Sequence, residues 1–171
     1  VTSPDRHVPG AATQGARPAA MLQFATGAAL WGALMALSAA VSLIWLDWRT
    51  DEQIRAVSTI FGLGGVVGYL LARIGFRLTI ATQRIEARFA AHLFTLAAGT
   101  IGATATLYAM HHRVYFAQWH ASFPSVDWTL QLIFTILGAF YQFAALGLRL
   151  YLPVGVPALI VFALCLTARA R

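Results

Sequence analysis

Lysine is missing from this chain, and acidic residues are few. Charged residues make up 11% of its 171 positions, against 59% hydrophobic ones. A soluble domain carries about 25% charged residues, so the sequence lacks the polar surface that water demands. One cysteine, Cys165, excludes an intrachain disulfide and a thiolate-based metal site. No aspartate or glutamate falls in the middle of an apolar run, which argues against a proton- or cation-coupled transporter. No run alternates with period two, as a barrel strand would. Ser38, Ser42 and Ser58 lie in apolar runs without a nearby base, so no nucleophilic catalytic arrangement is legible.

What the sequence has is long apolar runs. Those over residues 21–46, 55–76, 91–110, 128–148 and 152–168 set the fold class. About 20 apolar residues cross a hydrocarbon core as a helix, and backbone groups in lipid must find their partners within the segment. The expected fold is all-α: a polytopic transmembrane helical bundle of four to five spans. The last run is marginal in length. It is expected to cross as a fifth span, the other reading being a shallower segment that returns. Residues 1–20, with three prolines and two glycines, are expected to form a flexible tail ahead of a single domain over 21–171.

All twelve basic residues are arginine, and the net charge is +6. In a soluble protein that balance would raise nucleic acid as a partner. Here the arginines sit between apolar runs, so membrane orientation explains them and no nucleic-acid partner is expected. Arginine, alanine and glycine in place of lysine suggest a GC-rich bacterial genome, hence an inner membrane. A cytoplasmic N-terminus puts Arg6, Arg17, Arg73, Arg77, Arg84, Arg88 and Arg149 inside. It leaves Arg49, Arg55 and Arg113 outside with Asp47, Asp51, Glu52 and Asp127. Five spans would put Arg169 and Arg171 outside too, and a returning segment would bring them in.

Four features carry candidate function. If one helix runs on past the second span, Arg73, Arg77, Arg84 and Arg88 share a face within about 60° at 100° per residue. Ile74, Leu78, Ile85 and Phe89 lie beside them, so this reads as an amphipathic basic helix for anionic headgroups or a partner protein. Gly32, Gly64, Gly68 and Gly102 mark helix-packing faces, within the chain or between copies. Gln131 and Gln142, about 20° apart on the wheel, are intramembrane polar groups expected to bond a neighbouring helix. The stretch "MHHRVYFAQWHASF" holds His111, His112 and His120 among four aromatic rings. It reads as the interfacial end of a span. His112 and His120 are weak metal candidates, because zinc wants three or four donors. Neither metal nor cofactor is expected.

The expected function is a non-catalytic inner-membrane subunit or accessory factor of a larger assembly. The alternatives are a homo-oligomeric pore or uncoupled carrier, and a redox or lipid-modifying enzyme using the histidine loop. Expected partners are lipids and a second membrane protein or copy.

Overall fold

The computed structural model describes the backbone of residues 12–47, 50–79 and 84–169, and the side chains of 21–47, 50–77 and 84–168. Every regular element among the described residues is helical: α1 (Ala12–Trp45), α2 (Asp51–Thr79), α3 (Ile85–Phe116), α4 (Val126–Gln142) and α5 (Gly155–Arg169). A 3₁₀ turn, Ala117–Trp119, extends α3. A π-helical turn, Phe143–Gly147, and a 3₁₀ turn, Leu148–Tyr151, follow α4. Among the described residues, four stretches are long and apolar enough to cross a membrane: Met21–Trp45, Asp51–Arg77, Ile85–Trp119 and Val126–Tyr151.

Two expected boundaries are corrected. The chain is already helical from Ala12, because the alanines of "ATQGARPAA" favour helix and the apolar run continues it. Only residues 1–11 of the expected tail lie outside the described residues. The run 152–168 does not make a fifth full span: α5 has 15 residues, about 22 Å at 1.5 Å per residue, short of a core of about 30 Å.

Helices α1, α2 and α3 form an up-down-up core in which small residues set the distances. A Cβ on Gly32 would lie 2.6 Å from Val66 Cγ2 and 2.8 Å from the Gly62 carbonyl oxygen. On the other side of α2, Gly64 and Gly68 lie directly against Thr104 and Thr100 of α3. Close approach gives packing its strength where lipid removes the hydrophobic drive between helices. It also brings the Thr100 hydroxyl within reach of α1, where it accepts a 2.9 Å bond from the buried Trp31 Nε1. Gly102, a sequence candidate for packing within the chain or between copies, makes no close contact within the chain: it is exposed, and a Cβ there would meet nothing within 4 Å. The inward face of α3 runs through His92, Leu96, Thr100 and Thr104. Gly99 makes the close contact instead, where a Cβ would lie 2.7 Å from the Gly68 carbonyl oxygen.

The C-terminal third makes one bent traverse. Helix α4 descends beside the end of α3, with Gln131 bonded at Ala121, Thr135 at His120 and Gln142 at Tyr108. Its continuation passes through the π and 3₁₀ turns of residues 143–151. Helix α5 runs on with α3 as its main neighbour and α1 beside it, its Phe162 ring 5.1 Å from Trp31. It ends beside the start of α3, where Leu164 and Thr167 share a pocket with Ile85 and Phe89. The start of α3 and the end of α5 therefore lie at one end of the bundle, the arginine end. The α1–α2 turn and residues 117–125 lie at the other, the aromatic end.

Pro153 breaks the helix: it has no N–H, and its ring clashes with the carbonyl four residues back. Buried Ser38 repairs the break. Its hydroxyl donates to the Leu150 carbonyl at 2.8 Å and accepts from the Gly155 N–H at 3.0 Å. Ser42 donates to the same carbonyl at 3.3 Å. Broken backbone at membrane depth survives only where protein satisfies it. Ser38→Ala removes a bond in each direction and is expected to cost about 1–3 kcal/mol. Unfolding of the purified protein in mild detergent checks this, and an unchanged midpoint contradicts the role of the serine.

Candidate binding cleft at the aromatic end

Residues of the π and 3₁₀ turns after α4 enclose a cleft of about 440 Å³ together with α2 and α3. Phe61 of α2 anchors its floor, with its ring 6.1 Å from Phe143 and 4.8 Å from Tyr151. The α3 wall carries Tyr108, His111, His112, Tyr115 and Phe116, and the α2 wall carries Gln53, Ala56, Val57 and Ile60. Gln142 faces them from the end of α4, accepting a 3.1 Å bond from the Tyr108 hydroxyl. Among the described residues, no Asp, Glu or Arg lines the space.

The three histidines of residues 110–123 are thus divided. α3 continues through Phe116, so His111 and His112 are helical residues on the cleft wall. The His112 ring stacks obliquely on Phe116 at 4.5 Å, and its Nδ1 has no hydrogen-bond partner among the described residues. His120 lies beyond the 3₁₀ turn, with Nε2 3.1 Å from the Thr135 hydroxyl. His112 and His120 therefore have separate neighbours, and no group of three His, Cys, Asp or Glu converges among the described residues.

The two glutamines also part company. Gln142 bonds α3, whereas the Gln131 Oε1 accepts from the Ala121 N–H at 2.7 Å and ties the loop to α4. Tyr115, Trp119 and Phe123 project outward around this end, 59%, 59% and 73% exposed.

The arginine stripe is corrected in form. Arg84 is extended, with φ −73° and ψ 130°, and caps the start of α3. No single helix carries all four arginines. Arg73 and Arg77 belong to the end of α2, and Arg84 and Arg88 to the start of α3, on two antiparallel helices. The pairing is fixed by the glycine contacts and by Phe76, which stacks on the buried His92 at 3.5 Å and 17°. The four still gather at one end. Arg149, expected on the same side, lies instead in the bend, next to the Leu150 carbonyl held by Ser38 and Ser42.

Sequence reasoning missed Gln53, Tyr108 and Phe143 as cleft residues. The available signal was Pro153 and Pro157 within an apolar run, with Gly147 before and Gly155 between them. No protein-family model, curated protein or solved structure matches the chain.

Replacing Gln131 with Leu is expected to release the loop without loosening the core. Amide exchange at Ala121 in nanodiscs should rise about tenfold, the value of one hydrogen bond. Exchange at Thr100 should not change.

Proposed function

We propose that the chain is a non-catalytic integral subunit or accessory factor of a larger assembly in a bacterial inner membrane, with its N-terminus in the cytoplasm. The observation that carries this reading is where the polar side chains are spent. Trp31–Thr100, Ser38–Leu150 and Tyr108–Gln142 join the chain to itself. They hold the architecture in place.

The outward faces support a partner in the membrane. In the most apolar 18-residue window of the Val126–Tyr151 crossing, 11% is buried within the chain, against 44% in that of Met21–Trp45. Tyr141 on that crossing is 75% exposed. Its hydroxyl gains a hydrogen bond from another protein and none from acyl chains.

Arginine placement supports the orientation. Arg73, Arg77, Arg84, Arg88 and the last residue of α5, Arg169, share one end. The aromatic end carries Asp47, Asp51, Glu52 and Asp127 beside Arg55 and Arg113. Basic residues favour the cytoplasmic side. There the α2–α3 arginines meet anionic headgroups, each contributing about 1 kcal/mol near the surface.

Native mass spectrometry in mild detergent tests the assembly. A stoichiometric second protein is the expected result. A closed ring of identical chains replaces this reading with the pore or carrier, and stoichiometric haem or metal replaces it with the redox enzyme.

Orientation has its own measurement. In a Cys165→Ser background, single cysteines at Gln14 and Ser125 are treated with an impermeant thiol reagent in cells with a permeable outer membrane. Position 125 should label and position 14 should not. The opposite pattern inverts the topology.

A further inference from the structure

We infer that the cleft at the aromatic end binds the ring of a neutral planar amphiphile with carbonyl acceptors on opposite edges, namely a lipophilic quinone. Its volume, about 440 Å³, falls in the range of small-molecule sites. With no acidic or arginine side chain among the described residues of its walls, a phosphate or ammonium headgroup would meet no countercharge from them, at high cost.

A neutral ring meets no such cost. Phe61 and Phe143 supply apolar faces below, and Tyr108, His112 and Phe116 supply ring edges and faces at the side. Aromatic rings stack or meet edge-to-face with a planar guest.

Polar atoms approach from opposed elements. Gln142 Nε2 carries two donors, and the one bond of its side chain is made through Oε1 to Tyr108. That bond fixes the amide so that its N–H₂ is left for a guest. His112, on the facing helix, lines the cleft, and its Nδ1 is buried without a partner among the described residues, so a turn of the ring brings that nitrogen to a guest. Gln53 stands at the mouth on α2. Quinone oxygens are acceptors that need donors from two sides. A reduced quinol donates instead, and amide oxygens and imidazole nitrogens accept equally well. The same walls therefore suit both oxidation states. Binding is the whole of the inference, and it holds with or without a protein partner.

The location agrees with the chemistry. The cleft lies among the exposed Tyr115, Trp119 and Phe123, the kind of aromatic belt found where lipid meets water. A quinone head group rests at that depth with its isoprenoid tail in the hydrocarbon.

The full chain in phosphatidylcholine nanodiscs is photolabelled with an azido-benzoquinone bearing a decyl tail, and modified peptides are mapped by mass spectrometry. Label is expected on residues 53–61, 108–116 and 142–150, and excess decylubiquinone should abolish it. Labelling should fall about tenfold in His112→Leu and again in Gln142→Leu, one hydrogen bond each. It should fall also in Ala56→Phe, which fills the cleft and leaves both polar groups intact. His120→Gln should label as the wild type does.

Label spread over lipid-facing residues without competition overturns the inference, as does undiminished labelling in Ala56→Phe with native circular dichroism. Protection by added phosphatidylglycerol, but not by decylubiquinone, assigns the cleft to a lipid headgroup and overturns it too. Wild-type competition decides the matter even if every variant fails to fold.

Discussion

Backbone groups cannot be left bare in an apolar surround, and one serine meets that constraint where it is most severe. The Pro153 break interrupts the last crossing beside α1. Ser38, reaching out from α1, accepts from one side of the break and donates to the other. That pair of bonds locates the bend against α1, and everything C-terminal follows from it. Helix α5 is delivered along α1 with Phe162 on Trp31. Tyr151 is set on Phe61.

The core upon which the bend rests is held by an absence of side chains. Gly64 and Gly68 let α3 lie against α2 closely enough for Thr100 to reach Trp31 on the far helix. A three-helix contact is thereby made with one buried hydrogen bond and no charge. The same register carries Tyr108, His112 and Phe116 to the level of Gln53 and Phe61, so the cleft wall is a consequence of core packing. Its opposite wall comes from Gln142, Phe143, Leu146, Gly147 and Leu150, at the end of α4 and in the π and 3₁₀ turns that follow it.

The two ends of the bundle differ in chemistry. One gathers arginines from two helices and the terminus of a third. The other gathers tyrosine, tryptophan and histidine, with acidic and basic residues in near balance. Basic residues favour the cytoplasmic side of a membrane, and this polarity is what the proposed orientation rests on. Within the chain the polar contacts hold helices together, while the outward faces remain apolar. A scaffold of this kind suits a protein that works through what it binds.

Composition and run length by themselves determined that the chain is an all-helical bundle with apolar crossings, because hydropathy acts residue by residue and needs no partner. The gathering of Arg73, Arg77, Arg84 and Arg88 at one end was legible for the same reason. Their sharing of one helix face was not: the chain reverses between α2 and α3, and wheel angles hold only while a helix continues. Gly68 and Gly102 look alike in sequence, yet one touches Thr100 and the other nothing, since the face a glycine presents depends on the register of two helices. Run length also could not show that residues 152–168 run on from α4 through a break held by α1. The decision lay with a serine more than 100 positions upstream, and only tertiary structure brings a hydroxyl from one helix to the broken backbone of another.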